Sequence, residues 1–541
     1  MSFETRLDRE TALRWRALGL WGEETFSAVL LRRAAQSPER EAIREGARSL
    51  TYRELNEGVD RVAAHLRSLG VGEGDTVAIQ LPNWIEFPLV FFALERLGAL
   101  AVPLSVDFRL RELLYILHFA GCRMLICCAR FRGFDHLAMA AELRPSLPEL
   151  ETIGVVRGEP RQGMAGLDAV VAETGAPANF EPAKESADRV MRLVFTSGTT
   201  GNPKAVMHSH NTTLAAARVL NGDLGLGPRN AMMIWLPLGL NWGYLTLVQS
   251  VLAGAKAVLL ERFRPEPALE QIERERVTYI PTAPASLTAI LEQPSLSKRD
   301  LSSLKIVVSG GASAPLETIR SWRRAAPGAF LELYGMLETG FHTYTRPADD
   351  PERVAGTVGR EASAMNLEIL DPGGRALPAG EEGEICCKGP SVHLGYLNNP
   401  AANAESFLAD GWFKTGDLGV VDGNGNLRIS GRVKEMINRG GMKFHPREIE
   451  EILYTHPKVL YAAVVGIPDP RLGERNCLCL VPKRGERPTL EELLAFLGDS
   501  VATYKRPERL ELFEELPFTP TGKIQRHVLV REVGARLARS P

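Results

Sequence analysis

Seven short apolar runs between residues 75 and 311 limit the fold of this chain more than any other feature: DTVAIQLP, RMLICCA, ETIGVV, RLVFTSG, KAVLLE, TYIPTAP and KIVVSGG. Each is rich in β-branched residues and shows little apolar/polar alternation, the pattern of strands buried on both faces. Amphipathic stretches separate several of them and supply the long crossovers that parallel strands require. One such stretch carries its own start signal, since Thr51 and Glu54 have the spacing of a capping box, and its helix is expected to stop near Gly70. The expected fold class is therefore α/β, with a large N-terminal domain of parallel-rich sheets covered by helices.

After about residue 365 the texture changes. NLEILD, GEICCKG and LRIS are separated by Gly- and Pro-rich turns, as in a small β-rich lobe over about 365–433. Beyond GRVKEM the helix–strand pattern resumes, with a second capping-box spacing at Thr489 and Glu492, and predicts a mobile α+β C-terminal domain. The boundaries expected are 1–433 and 434–541. A chain of 541 residues with 45% hydrophobic content is too long for one core, in keeping with this division.

Charge and cysteine content exclude several function classes. A net charge of −2 argues against nucleic acid or an anionic membrane as the main partner, so any anion must be held by local devices. Seven Cys with two vicinal pairs and no C-x-x-C read as reduced, buried thiols and not as a disulfide frame or zinc site. The acidic start MSFETRLDRE is unlike a signal peptide, and the most apolar long region, 231–260, is interrupted by Pro237, Asn241, Gln249 and Gly254. A cytoplasmic protein without membrane insertion is expected. The oligomeric state is left open, a homodimer being compatible with the sequence.

The strongest chemical signal is LVFTSGTTGNPKAVMHSH at 193–210. An apolar strand runs into Thr196, Ser197, Gly198, Thr199, Thr200 and Gly201, followed by Asn202, Pro203 and Lys204. Small residues let backbone N–H groups converge on an anion, hydroxyls add donors, and the lysine adds charge. The glycine-to-lysine spacing does not fit a Walker A loop. Ser309, Gly310, Gly311 and Ala312 end another predicted strand, at the carboxyl edge of a parallel sheet where ligands commonly bind. His208, His210 and His342 carry too weak a spacing for a metal site and are expected in solvated or capping roles.

The 196–204 stretch resembles the phosphate loop of the adenylate-forming superfamily: acyl- and aryl-CoA synthetases, peptide-synthetase adenylation domains and luciferases. Further motifs stand in that superfamily's order: YGMLETG (334–340), GYLNNPAANAESF (395–407), WFKTGD (412–417), GRVKEMINRGGMKFHPREIEE (431–451) and PFTPTGKIQR (517–526). The resemblance spans nearly the whole chain. It implies ATP-dependent activation of a carboxylic acid as acyl-adenylate, release of pyrophosphate, and transfer to a thiol. It also implies residue roles. Thr196 to Gly201 and Lys204 would hold the phosphates, and Glu338 would organise Mg²⁺. Gly310, Gly311, Ala312, Tyr334, Gly335, Asp417 and Arg432 would surround adenine and ribose. Lys523 would bridge the acyl carboxylate and α-phosphate. Lys434 would be the hinge of a domain rotation that brings Gly440, Gly441 and Lys443 up as a thiol channel.

Three weaker local similarities, at 131–140, 236–244 and 343–354, lean toward the alicyclic- and aryl-acid branch. An acyl pocket of Asn241, Trp242, Gly311, Leu337 and Phe341 follows from the resemblance. Phe341 would lie one turn from Leu337 if that segment were helical. Such a wall suits an uncharged, compact alicyclic, aryl or short- to medium-chain acid. Leu337 stands where the superfamily usually has a hydroxyl. No carrier motif is visible after PTGKIQR in this sequence, so free coenzyme A is the acceptor expected, with loading of a separate carrier protein as the alternative.

Overall fold

The computed structural model describes residues 3–539 except 176, 178–179, 185, 197–202, 313, 353, 433–434 and 520–523. The seven predicted strands are all present and lie in two large sheets. In the nine-stranded sheet the order is Arg360–Glu361, Gly340–Tyr344, Ala329–Met336, Ile306–Gly310, Tyr279–Thr282, Ala231–Ile234, Lys256–Leu259, Glu41–Glu45 and Arg48–Thr51. Its six central strands are parallel, and the pairs at either edge are antiparallel. The seven-stranded sheet is parallel apart from the hairpin Val190–Phe195 with Ala205–Ser209 at one edge.

Local signals set the elements that cover these sheets. At Thr51 both capping-box bonds form: Glu54 N donates to Thr51 Oγ1 at 3.2 Å, and Thr51 N donates to Glu54 Oε2 at 2.7 Å. The helix Tyr52–Ser68 then ends before Gly70, whose φ of +88° only glycine adopts readily. Every residue of the helix Glu86–Arg96 is buried, and apolar side chains from both sheets share one core with it. The fold is the α/β class expected. All seven cysteines are free and buried, and among the described residues no helix is long and apolar enough to cross a membrane.

A four-stranded antiparallel sheet, Asn366–Leu370, Gly383–Lys388, Phe413–Val421 and Leu427–Arg432, follows the large sheets. Residues 437–512 then form a five-stranded sheet covered by Arg447–Leu453, Leu490–Leu497 and Arg526–Arg539. The capping box expected at Thr489 is only half formed. Glu492 N donates to Thr489 Oγ1 at 3.2 Å, while the Glu492 carboxylate turns away to Lys458 at 2.8 Å, a charged partner displacing a neutral one. At the seam, Arg447 Nη1 donates to Ile429 O at 2.6 Å. A Cβ on Gly431 would lie 2.2 Å from His445 Nδ1, so only glycine lets the two pack.

One arginine ties the last helix to the helix Arg447–Leu453 by an ion pair and to the C-terminal sheet by a backbone contact. Arg526 donates to both oxygens of Glu450 at 2.6 and 2.9 Å and to Val464 O at 2.9 Å. Glu450 is 8% exposed and Arg526 23%, so loss of the guanidinium strands a nearly dry carboxylate. Arg526→Met is expected to destabilise the C-terminal domain by about 3 kcal/mol. Urea unfolding followed by near-ultraviolet circular dichroism checks this, and a midpoint equal to wild type would refute it.

Candidate active site

A cavity of about 1930 Å³ opens where the parallel strands of the nine-stranded sheet end. Trp235, Glu261, Pro284, Gly311 and Leu333 to Leu337 line it, each at or just past the carboxyl end of its strand, the usual ligand position in such sheets. Ordinary small-molecule sites measure about 300–1,000 Å³. This volume therefore leaves room for a nucleotide and a second molecule together. The opposite wall belongs to the C-terminal domain and includes His445, Arg447, Thr519, Ile524 and Gln525.

The Gly- and Thr-rich stretch joins the two strands of the edge hairpin. Thr196 N donates to Lys204 O, and Lys204 N to Thr196 Oγ1, both at 3.0 Å, which pins the loop's base. Tyr115 Oη donates to Pro203 O at 3.2 Å from the neighbouring helix. Thr196 and Lys204 line the cavity. Ser197, Gly198, Thr199, Thr200 and Gly201 lie outside the described residues, as do Lys434 and Lys523.

Lys204 Nζ stands 4.7 Å above the Tyr396 ring, and Tyr396 Oη donates to Glu338 Oε1 at 3.1 Å. Cation, aromatic ring and carboxylate thus form a row along the wall. Glu338 is 6% exposed. Its backbone is fixed from two sides. His393 N donates to Glu338 O, and His208 Nε2 donates to the Leu337 carbonyl, both at 2.8 Å. Burial first, then the Arg192 charge across the hairpin, hold His208 well below the usual imidazole range. It is therefore neutral, with its proton on Nε2.

Two expectations are corrected here. Residues 336–340 form the turn of a β-hairpin and not a helix, with Gly335 paired to Phe341, so Leu337 and Phe341 are not one helical turn apart. Gly335 permits this tight return, because a Cβ there would meet Gly340 O at 2.1 Å. The three histidines are buried, not solvated. His208 holds the Leu337 carbonyl, and His210 Nδ1 accepts at 3.2 Å from Phe26 N, the first N–H of the helix Phe26–Gln36, which is the capping role expected. Among the described residues no group of three or more His, Cys, Asp or Glu could hold a metal ion by itself.

Of the residues expected around adenine and ribose, all but Gly310 line the cavity. Tyr334 Oη donates to Asp417 Oδ2 at 2.7 Å, and Arg432 Nε pairs with Asp417 Oδ1 at 2.8 Å. Gly310 is packed so closely that a Cβ would lie 2.6 Å from Leu333 O and 2.9 Å from the Trp242 ring. Gly311 follows at φ +78°, and Gly311, Ala312 and Gly335 all line the cavity. Beneath this floor Glu332 is 7% exposed, and burial pushes its carboxyl up to about 8.

Asn241, Trp242, Gly311, Leu337 and Phe341 line the same cavity. Leu337 packs with Val206, Tyr396 and Ala402, on the side of the phosphate-loop hairpin. By contrast Gly440, Gly441 and Lys443 are not part of the cavity wall; the glycines form the tip of the hairpin Ile437–Arg439 with Met442–Phe444, and Lys443 lies in its second strand opposite Asn438. Sequence reasoning missed Arg192, Tyr115 and Tyr396. Arg192 had a visible signal, as the lone charge in the apolar run VMRLVF. Tyr396 lay inside a quoted motif with no role assigned to it, and nothing in the sequence pointed to Tyr115.

Two outcomes follow from this geometry. Glu332 is held neutral by burial, so its contribution to stability is fully present below its ordinary value and is lost as pH rises through about 8. Glu332→Gln should match wild type in Tm at acid pH and exceed it increasingly up to pH 8; a pH-independent difference would refute this. Leu337→Thr should lower Tm by a few degrees through lost packing and shift relative rates among compact acids. Unchanged selectivity would confine Leu337 to packing.

Comparison with known proteins identifies the family. The AMP-binding enzyme family matches residues 30–397, and the AMP-binding enzyme C-terminal domain matches 448–523. The medium-chain fatty-acid–CoA ligase of Escherichia coli is 33% identical over 97% of this chain and 93% of its own. The 2,3-dihydroxybenzoate-AMP ligase of Bacillus subtilis is 34% identical over 98% and 97%. Among solved structures, the anthranilate CoA ligase AuaEII in complex with anthranoyl-AMP superposes with a TM-score of 0.88 at 28% identity, covering 96% of this chain and 99% of that one.

Proposed function

Since this chain belongs to the family of AMP-binding enzymes and is an adenylate-forming ligase, we propose that it is an AMP-forming acid–CoA ligase acting on an uncharged, compact carboxylic acid. The observation that carries this reading is that one cavity is shared by the groups such a reaction needs. Phosphate-loop base, Glu338, the Asp417–Arg432 pair and the Asn241–Trp242 wall all face it, and Thr519 and Ile524, which flank residues 520–523 in sequence, line it too.

In this reading the acid's own carboxylate oxygen attacks the α-phosphorus of ATP and pyrophosphate leaves, so the protein positions charge and supplies no nucleophile. Lys204 and the 196–201 loop hold the β- and γ-phosphates. Asp417 accepts from the ribose hydroxyls; a carboxylate has about four acceptor positions, and Tyr334 and Arg432 use two of them. Glu338 is a buried carboxylate steadied by a neutral phenol, and it suits Mg²⁺ held by one protein acid and phosphate oxygens. That ion would neutralise phosphate charge when bound. Lys523 bridges carboxylate and α-phosphate. In the second half-reaction the thiol sulfur attacks the acyl carbon and AMP departs.

Domain rotation accounts for the one predicted group that stands apart. The Gly440–Lys443 segment lies off the cavity while Thr519 and Ile524, on either side of residues 520–523 in sequence, lie on it, the disposition an adenylation stage requires. Coenzyme A as acceptor is supported by the E. coli relative and by the anthranilate CoA ligase. Loading of a carrier protein is the second reading, favoured by the B. subtilis AMP ligase at similar identity.

Acid-dependent pyrophosphate exchange across fatty, alicyclic and aryl acids, repeated as thioester formation with coenzyme A, tests the proposal. Compact acids should support both. Exchange without thioester would select the carrier-protein reading, and a preference for long flexible acids would refute the compact pocket. Lys523→Ala should abolish exchange while sparing thioester formation from supplied acyl-adenylate; equal loss of both halves would refute the rotation.

A further inference from the structure

Behind Asn241, away from the cavity, lies a fully buried arginine. Arg192 is 1% exposed and does not line the cavity, yet its Nη2 donates to Asn241 Oδ1 at 3.0 Å. Its guanidinium also lies 3.9 Å from the Tyr244 ring centre. Asn241 and Tyr244 are three residues apart at the start of the helix Asn241–Ala253, so Arg192 grips one face of its first turn.

This is a costly place for a cation. The positive end of a helix dipole repels it, and its Nε is buried without a partner. Burial brings the guanidinium down to about 10, which leaves it charged at neutral pH, and the buried Glu95 supplies opposing charge. An apolar side chain would suit the surrounding strand, and replacing buried charge by packed hydrophobes is often neutral or stabilising. A role beyond stability is therefore indicated, and the amide of Asn241 is what the arginine controls.

A guanidinium has five donors and no acceptor, so only the oxygen of Asn241 can face it. The amide cannot flip while that bond is kept. Its NH₂ then points to the cavity side, where no described residue accepts from it. Resting on the compact-acid reading above, we propose that Arg192 is a specificity-setting positioning residue. By holding Asn241 Oδ1 it presents N–H donors to the acyl cavity, which thereby selects acids bearing a hydrogen-bond acceptor, such as a hydroxyl, alkoxy or oxo group, on their ring or chain. A bare hydrocarbon leaves the donors unpaired, and an amino substituent offers a donor where an acceptor is read.

The test is a ratio of kcat/KM values in acid-dependent pyrophosphate release, so a general loss of activity cancels. Benzoate, its hydroxy, methoxy and amino derivatives, and cyclohexane carboxylates with and without an oxo group form the panel. Wild type should favour the best acceptor-bearing acid over its amino and unsubstituted counterparts by about tenfold or more. Arg192→Met frees the amide to rotate and should collapse that ratio to within about threefold, while Arg192→Lys, which keeps a donor, should retain part of it. Asn241→Asp keeps Arg192 paired and replaces the donor by an acceptor, so it should invert the order toward the amino acid; it decides the matter if Arg192→Met does not fold. A wild-type ratio near one, an unchanged ratio in Arg192→Met, or no inversion in Asn241→Asp overturns the inference alone. If no acid of the panel is turned over, the compact-acid reading fails and this inference fails with it.

Discussion

The carboxylate of Asp417 is the point on which the molecule's parts depend. It is 4% exposed, and it is held by Tyr334 from the nine-stranded sheet and by Arg432 from the last strand of the four-stranded sheet. A buried acid is tolerated only when paired and hydrogen-bonded, and here both of its oxygens are engaged by different elements. The pair therefore locks the lobe to the large domain. It also fixes Arg432, beyond which the chain passes into the C-terminal domain. In the proposed reaction the same carboxylate binds ribose, so the nucleotide would sit on the joint itself.

A second organising feature is the edge hairpin Val190–Phe195 with Ala205–Ser209. Arg192 and His208 are direct cross-strand partners within it. One reaches sideways to Asn241, the other to the Leu337 carbonyl. The strands that carry the phosphate loop thus also carry the side chains that set the acyl wall and the backbone next to Glu338. The arginine's charge helps keep His208 neutral, and neutrality is what leaves one imidazole nitrogen as donor and the other as acceptor.

Much of this was legible in the sequence, and the reasons are local. Strands buried on both faces announce themselves as unbroken apolar runs, which is why all seven were found. The capping box at Thr51 formed because both partners are in reach within one turn. The box at Thr489 failed because Lys458, distant in sequence, captures Glu492. Tyr334, Asp417 and Arg432 were named from motifs, but their mutual contact is tertiary and no spacing reveals it. The interval between Leu337 and Phe341 would put them on one face only if the segment were helical, whereas Gly335 and Gly340 make a hairpin there. The histidines read as solvated or capping, and only the solvated half fails, for the same reason: polarity is visible in a sequence and burial is not.

Arg192 is the instructive case. An arginine inside VMRLVF violates the pattern that identifies the strand, and such violations mark places where function overrides packing. The cost of the violation is physical: a dehydrated charge against the wrong end of a helix dipole, with one donor unmet. Selection for stability alone would replace it. What an arginine supplies that an apolar residue cannot is direction, since a group that only donates forces its partner to accept. A single buried cation can therefore fix which end of a neighbouring amide a substrate meets, although it never touches the cavity. The net charge of the chain is nearly zero, so recognition of anions and of the acid alike has to come from such local, oriented groups and not from the field of the whole protein.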